Sequence, residues 1–267
     1  MPHLNIQNVP LYYEEEGRGF PVVFLHGMGL SHANWRGQIQ HFSKKFRVIT
    51  YDMRGHGRSG ISHRQAPETY LEVLSRDLQL MLEHLGIQKA HFVAYSTGTL
   101  VLLHFLRDFS HMCERAVLTG AFPCLSDAYM YTKVGASYLL TLLHASRYEA
   151  RKVAQANGAT SRQVDLFMNE ALKARRSEML VLLRALVTCD LTSFLPNVNI
   201  PTLLIYGGNE WYMRKYRHMM LTSLPQAEVC LIPKTSHACP TKACQVFNML
   251  VEDFLTGEGM QCGKTVE

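Results

Sequence analysis

The sequence predicts an α/β fold built on a mostly parallel sheet, and two observations carry that prediction. Short apolar runs recur along the chain, and their length suits strands that are buried on both faces. Amphipathic helical patterns separate most of these runs, and strands that alternate with helices form parallel sheets with right-handed crossovers. The chain has 267 residues, 47% of them hydrophobic, which is enough for one large core. We therefore expect one α/β domain with eight strands flanked by helices.

The elements of this domain follow one another in a regular order. Residues 2–16 alternate as in an antiparallel hairpin, and six buried strands are expected after it, near residues 21–25, 47–51, 90–94, 115–119, 202–206 and 228–232. One amphipathic helix should begin at Pro67 and end before Gly86, because proline favours the first helical turn and glycine the position after the last. A helix that is apolar nearly all round follows Ser96, and the final helix carries an apolar stripe over residues 243–254.

Residues 122–195 interrupt this alternation. They hold helical patterns without a convincing strand, near residues 139–143, 164–172 and 179–187. We expect a helical cap inserted after the sixth strand, with residues 1–121 and 196–256 forming the core and residues 257–267 a flexible tail. The insertion carries nine Lys and Arg against six Asp and Glu. That excess fits either a solvated outer face or an entrance that attracts anions.

Composition excludes several classes of protein. No apolar run approaches the ~18 residues that a membrane span requires, and the first residues lack the charged and apolar regions of a signal peptide. The seven cysteines are scattered and odd in number, which indicates reduced thiols and a cytoplasmic location. The formal net charge of +5 is modest, and Lys and Arg are not concentrated as in a nucleic-acid-binding face. We expect no nucleic-acid partner and no membrane span; the sequence carries no signal for an oligomeric state.

The chemistry is indicated by the segment 91–100. A short apolar run stops at Ser96, which is held between small residues, and an apolar helical run begins at once. This pattern is typical of a nucleophile elbow, a strand that turns sharply into a helix with the nucleophile at the turn. The turn is strained and needs small residues two positions before and after the serine. Here they are Ala94 and Gly98, in the order A-x-S-x-G.

Further blocks stand at the ends of expected strands. They are His26-Gly27-Met28-Gly29, Gly207-Gly208-Asn209-Glu210 and Lys234-Thr235-Ser236-His237. The most specific block is D-x-R-G-x-G-x-S, from Asp52 to Ser59. In this order the blocks resemble the α/β-hydrolase superfamily, of the single-domain kind with a helical cap, over about residues 10–255. The resemblance implies the α/β-hydrolase fold and a serine-dependent, esterase-like enzyme.

The resemblance also implies a catalytic triad. A serine hydroxyl is a poor nucleophile near neutral pH and needs a general base that a third group orients. In this superfamily the partners follow in the order serine, acid, histidine, which nominates Ser96, Glu210 and His237. Aspartate is the usual acid, so two other interpretations of Glu210 stay open. Glu210 could be a surface residue whose negative charge favours a helix N-terminus. Alternatively, the acid could follow the sixth strand, which nominates Asp127.

The remaining site residues follow from the same resemblance. The backbone N–H groups of Met28 and Thr97 should hold the oxyanion, and Thr97 would open a helix, whose dipole helps. His26, Gly27 and Gly29 should form the supporting loop. We expect no cofactor and no metal, because the chain has no P-loop or G-x-G-x-x-G fingerprint and no Cys and His set with metal-ligand spacing.

The expected function is hydrolysis of a carboxylic ester, lactone or thioester through a Ser-His-Glu triad and an acyl-enzyme. The partner is a small-molecule acyl substrate. Two alternatives stay open at this point. The same triad could serve a C–C hydrolase, an acyltransferase or a perhydrolase, or the chain could be a ligand-binding protein with vestigial turnover.

Overall fold

A computed structural model describes residues 3–61, 66–224 and 226–257. Within these ranges eight strands form one sheet in the order β1-β2-β4-β3-β5-β6-β7-β8. The strands are β1 (His3–Ile6), β2 (Val9–Glu16), β3 (Pro21–Leu25), β4 (Arg47–Tyr51), β5 (Ala90–Tyr95), β6 (Cys113–Thr119), β7 (Thr202–Gly207) and β8 (Glu228–Ile232). The strands β3 to β8 run parallel to one another. The predicted eight-stranded, mostly parallel sheet is confirmed.

The antiparallel edge of the sheet is the predicted N-terminal hairpin. Ile6 pairs with Val9, so β1 and β2 are joined by a two-residue turn. Gln7 and Asn8 both have positive φ, 48° and 65°, as the turn types that match the twist of a hairpin require. The strand β2 then pairs antiparallel with β4. Residue 2, which the sequence included in this hairpin, lies outside the described residues.

Helices cover both faces of the sheet. They are α1 (Arg36–Phe42), α2 (Pro67–His84), α3 (Thr97–Phe109), α4 (Ala128–Leu142), α5 (Ser146–Asn157), α6 (Ser161–Ala171), α7 (Arg176–Thr188), α8 (Arg214–Ser223), α9 (Cys239–Lys242) and α10 (Cys244–Thr256). Alternate residues of a strand point to opposite faces. In β3, Val23 and Leu25 therefore join the apolar cluster of α2, α3 and α8. Val22 and Phe24 join the cluster of α1 and α10.

The helix ends agree with the sequence where proline and glycine mark them. The helix α2 begins at Pro67, and Gly86 follows its end with a φ of 67°. A residue with a side chain would be strained at that angle, which explains the glycine. After Glu210 the chain does not enter an α-helix at once: a 3₁₀ turn spans Trp211–Met213, and α8 begins only at Arg214.

Between β6 and β7 the chain forms α4 to α7, and no strand lies there. Two of these helices share the core of the domain: Val134 of α4 and Leu182 of α7 belong to the same apolar cluster as α2. The hydroxyl of Tyr70 in α2 also donates a hydrogen bond to Glu178 in α7, at 2.6 Å. The insertion is therefore packed onto the domain and is not a detached lobe. Of the predicted tail, all but Gly257 lies outside the described residues.

The next two observations concern membrane-spanning helices and the state of the cysteines. In the part of the chain that the structure describes, no helix is both long and apolar enough to cross a membrane. Free thiols are found at Cys113, Cys124, Cys189, Cys239 and Cys244, as expected. Cys230 differs from that expectation, because it is disulfide-bonded.

Candidate active site

Ser96 lies at a sharp turn between β5 and α3, as the elbow pattern predicts. Its φ of 54° and ψ of −122° lie in a region that L-residues rarely adopt, so the turn is strained. The backbone around it explains the small neighbours. A Cβ on Gly98 would lie 2.6 Å from the carbonyl oxygen of His26, while the Ala94 methyl is accepted in the fully buried β5. The turn places the hydroxyl of Ser96 at the C-terminal edge of the sheet, at the start of α3.

His237 is the histidine that the fold brings to this serine. It lies in the loop that follows β8 and precedes α9. Its Nε2 is 2.9 Å from Oγ of Ser96, and its Nδ1 contacts Oε1 of Glu210. An ionised carboxylate only accepts hydrogen bonds, so Nδ1 carries the proton and Nε2 is free to accept that of the serine hydroxyl.

Glu210 is buried, which excludes the interpretation of a surface glutamate. Its side chain is 1% exposed, whereas that of His237 is 24% exposed. The second carboxylate oxygen, Oε2, accepts the backbone N–H of Gly207 at 3.2 Å. A buried charge needs such partners. Both oxygens of Glu210 are thus engaged, one with the imidazole and one with the end of β7.

Asp127, the alternative acid, has a different role in the structure. Its Oδ1 accepts the backbone N–H of Met130 at 3.0 Å and so caps the N-terminus of α4. Desolvation raises the pKa of the Asp127 carboxyl, but its polar neighbours, the Met130 N–H among them, outweigh it and lower the pKa overall. The structure brings Glu210, and not Asp127, to His237.

Gly120 is a site residue that the sequence analysis missed. It follows β6 with a φ of 60°, and a Cβ there would lie 2.5 Å from Cε1 and 2.8 Å from Nδ1 of His237. On the other side, the rings of Tyr95 and Tyr212 lie 5.1 Å and 6.4 Å from the imidazole. The imidazole is thereby confined between the end of β6 and two aromatic rings. A lone glycine after a strand provides no sequence signal for this contact.

Two backbone N–H groups next to Ser96 are available as donors. Thr97 begins α3, and Met28 lies in the loop after β3; both line the same cavity as Ser96 and His237. Among the hydrogen bonds of the described residues, neither N–H is used. The two residues predicted to donate to the oxyanion thus line the cavity that holds Ser96, and Thr97 lies at a helix N-terminus.

The loop that carries Met28 is fixed by His26 and by two glycines. Burial lowers the pKa of His26 to about 3, so the ring is neutral. Its Nδ1–H donates to the carbonyl of Gly27 at 2.8 Å, and its Nε2 accepts the N–H of Met53 at 3.0 Å. A Cβ on Gly27 would lie 3.2 Å from Cβ of Ser96, and Gly29 has a φ of 69°. The sequence predicted all three as supporting residues, and the structure places them there.

The site opens into a small cavity of about 80 Å³. The insertion contributes part of its lining through Met130, Lys133, Val134 and Ser137 of α4 and Leu186 of α7. Most of the other lining side chains are apolar. The insertion thus encloses the space above Ser96. Lys133 brings a positive charge to this lining, and no sequence pattern separates it from the other eight cations of the insertion.

One cysteine lies close to the candidate site along the chain. Cys239 follows His237 by two positions, but burial raises the pKa of its thiol to about 12, so it stays protonated. Over residues 3–61, 66–224 and 226–257, no group of three or more His, Cys, Asp or Glu side chains is arranged to hold a metal ion.

The chain is similar to known proteins over nearly its whole length. A family model described as the alpha/beta hydrolase fold matches residues 21–174. A protein of Azorhizobium caulinodans, provisionally named carbamate hydrolase RutD, is 23% identical over 278 residues, which cover 95% of this chain and 98% of that protein. The pimeloyl-(acyl-carrier protein) methyl ester esterase of Vibrio cholerae is 25% identical over 265 residues, covering 92% and 98%.

A solved structure gives the same result for the fold. The enol-lactonase from Burkholderia xenovorans LB400 matches with a TM-score of 0.83 at 20% identity, covering 96% of this chain and 100% of that one. At this identity the likeness bears on the fold alone. It agrees with the sheet order and the flanking helices described above.

Proposed function

Because this chain belongs to the α/β-hydrolase superfamily and is a hydrolase, we propose that it cleaves carboxylic esters, lactones or thioesters through an acyl-enzyme formed on Ser96. His237 is the general base in this proposal, and Glu210 is the acid that orients it. The relatives named above are an esterase and a carbamate hydrolase, and the similar structure is a lactonase. All three names describe attack on an acyl carbon, which is the reaction class proposed here.

One observation carries the proposal: a hydroxyl, an imidazole and a buried carboxylate form a connected chain. Oγ of Ser96 is 2.9 Å from Nε2 of His237, and Nδ1 of His237 contacts Glu210. The distance of 2.9 Å is within reach of direct proton transfer. An imidazole that gains this proton becomes a cation next to the carboxylate, which stabilises it.

The first half of the cycle forms the acyl-enzyme. Oγ of Ser96 attacks the acyl carbon while Nε2 of His237 takes the hydroxyl proton. The carbonyl oxygen becomes an oxyanion, for which the N–H groups of Met28 and Thr97 are the donors, each worth ~3 kcal/mol. The intermediate then collapses, the ester C–O bond breaks, and the proton on His237 goes to the departing alcohol.

The second half releases the acid. A water molecule takes the place of the alcohol, gives a proton to His237 and attacks the acyl carbon. The new intermediate collapses, Ser96 leaves with the proton from His237, and the carboxylic acid departs. The net reaction consumes one ester and one water and produces one acid and one alcohol, with the enzyme unchanged.

The size of the cavity favours short acyl groups. It measures about 80 Å³ and most of its lining is apolar. Side chains of α4 and α7 form its roof, so we propose that residues 122–195 act as a cap that sets the acyl length. A panel of aryl esters from acetate to octanoate tests this proposal. The value of kcat/KM should fall as the acyl chain of the ester becomes longer.

The alternatives are distinguished by the fate of the acyl group. An acyltransferase or a perhydrolase would pass it to an added alcohol or to peroxide in preference to water, and a C–C hydrolase would leave simple esters untouched. A protein with vestigial turnover would bind such esters and leave them intact. Product analysis with and without added alcohol or peroxide therefore separates these alternatives from ester hydrolysis.

The proposal is tested by removing the hydroxyl. Ser96→Ala should lower kcat for a short aryl ester by a factor on the order of 10³ or more, because only binding and the oxyanion donors remain. Ser137→Ala is the matched control, since that serine lines the same cavity without contacting His237. Equal losses in both variants, or none in Ser96→Ala, would contradict the proposed nucleophile.

We propose the cytoplasm as the location, because five of the described cysteines carry free thiols. The disulfide of Cys230 is the observation against it. Fractionation of cells that express the full chain tests this directly.

A further inference from the structure

Lys133 places a positive charge at the edge of the candidate active site. It belongs to α4 and lines the same cavity as Ser96 and His237. Its Nζ lies 4.9 Å from the ring centroid of Tyr212, and the Tyr212 ring lies 6.4 Å from that of His237. A cation over an aromatic face is attracted by the ring. The ammonium is thus held beside the reacting groups.

Within the described residues, Lys133 has no carboxylate at ion-pair distance. The acidic group whose field reaches it is Glu210, which already holds His237 and the N–H of Gly207. The protein around the ammonium removes part of its hydration and lowers its pKa, although the residue as a whole is exposed. Lys133 thus brings an ammonium without a carboxylate partner to the lining of the cavity.

Other cations of the insertion are engaged elsewhere. Lys173 pairs with Glu170 at 2.6 Å. Arg176 donates to the carbonyls of Thr141 and Leu142 at 2.9 Å and 2.8 Å. The Lys173 pair is local to the end of α6, and the Arg176 contacts tie α7 to the end of α4. The position of Lys133 serves no such purpose in the structure, because its ammonium contacts a ring at the site.

We propose that Lys133 is a specificity-determining residue that selects esters bearing a carboxylate group. The inference rests on the proposed ester hydrolysis and narrows its substrate class. The cavity takes a short group, and Lys133 stands at its exposed edge, so the carboxylate lies a few bonds from the scissile ester. In the absence of this cation, the buried charge of Glu210 would repel such a substrate. Lys133 offsets that repulsion and adds an ion pair.

The experiment compares esters that differ only in charge. Monomethyl glutarate carries a carboxylate on the acyl side, and methyl glutaramate is its neutral, nearly isosteric amide. The pair 4-acetoxybutyrate and 4-acetoxybutyramide places the same difference on the alcohol side. For each compound we would measure kcat/KM and also the inhibition constant against labelling of Ser96 by a fluorophosphonate, which needs no turnover. The variants are Lys133→Met, Lys133→Arg and the control Lys152→Met.

Lys152 is a matched control because it also lies over a tyrosine, with its Nζ 5.0 Å from the ring of Tyr148, but away from the cavity. The wild type and Lys152→Met should prefer the carboxylate over the amide roughly tenfold or more on one side of the ester, as a charge-assisted contact allows. Lys133→Met should bring that ratio to one or below, chiefly through KM, because the charge of Glu210 remains. Lys133→Arg should keep most of the preference. The preference should weaken as salt is added.

The outcomes separate this inference from the function on which it rests. If Ser96 is labelled and neutral esters are cleaved, but charge makes no difference to either readout, Lys133 does not select carboxylates and ester hydrolysis still stands. The inference about Lys133 is equally overturned if the ratio is unchanged in Lys133→Met, or if neither ester of a pair slows labelling. If Ser96 is not labelled and no ester is cleaved, the proposed function itself is wrong.

Discussion

Replacing Gly120 with alanine should disable the site through His237. The new Cβ would lie 2.5 Å from Cε1 and 2.8 Å from Nδ1 of the imidazole. Ordinary contacts begin near ~3.5 Å, so the ring has to move by roughly 1 Å. A misplacement of this size costs about 10²-fold in rate when reacting atoms must be aligned. We expect kcat for a short aryl ester to fall by about that factor.

The same substitution also strains the backbone, since Gly120 has a φ of 60°. Alanine at such an angle costs about 1–2 kcal/mol. In a chain of this size, that lowers Tm by roughly 2–8 °C. Gly86 separates the two effects, because it has a φ of 67° and a Cβ there would meet nothing within 4 Å. Gly86→Ala should show the loss of Tm without the loss of rate.

The assay is therefore a pair of measurements on two variants. Steady-state hydrolysis of a short aryl ester gives kcat, and thermal unfolding gives Tm. If Gly120→Ala hydrolyses the ester as fast as the wild type, the imidazole does not need the position that the structure gives it. If Gly86→Ala loses as much rate as Gly120→Ala, the loss reflects strain and not the contact with His237.

Three further changes should lower either activity or stability by a predictable amount. Glu210→Gln should lower kcat by about 10³-fold or more, because it disturbs the tautomer of the imidazole. Asp127→Asn still caps α4 and should leave kcat within about twofold. A larger loss in Asp127→Asn would identify Asp127 as the acid. His26 takes a proton only below a pKa of about 3 when folded, but near ~6.5 when unfolded. The contribution of the neutral ring to stability is thus fully present above about pH 6.5 and is lost as the pH falls towards 3. The free energy of unfolding, measured by urea titration, should fall by about 2 kcal/mol between pH 7 and 5. An unchanged free energy would contradict the buried neutral ring. Asp77→Asn should cost about 3–5 kcal/mol in the same assay, because Arg54 donates two buried hydrogen bonds to that carboxylate at 2.7 Å and 2.6 Å; a loss below about 1 kcal/mol would show that the pair is dispensable.

The sheet could be predicted from sequence because each of its strands carries a local signal. Strands such as β5, whose residues are all buried, are built mostly from apolar residues. The elbow at Ser96 is equally local, since the constraint acts on residues within two positions of the serine. The acid was harder to predict, because glutamate and aspartate both accept a hydrogen bond. Only the packing of the loop after β7 against His237 distinguishes Glu210 from Asp127.

The insertion was less predictable, and α5 shows the reason. Its sequence over Ser146–Asn157 is largely polar, and only Ala150, Ala154 and Asn157 are buried. Such a narrow stripe leaves almost no periodic signal. Gly120 and Lys133 were missed for a different reason. The side chains near each of these residues belong to elements far away in the chain. A local sequence pattern therefore gives no information about these contacts.

The most direct test of the proposed chemistry is the labelling of the purified chain with a fluorophosphonate, followed by peptide mapping. Phosphonylation requires a serine that is activated by its own base. We predict one adduct per chain, on Ser96, formed at a rate that drops by orders of magnitude in His237→Ala. An adduct on another residue, or an equal rate in His237→Ala, would contradict the central claim that Ser96 is a nucleophile activated by His237.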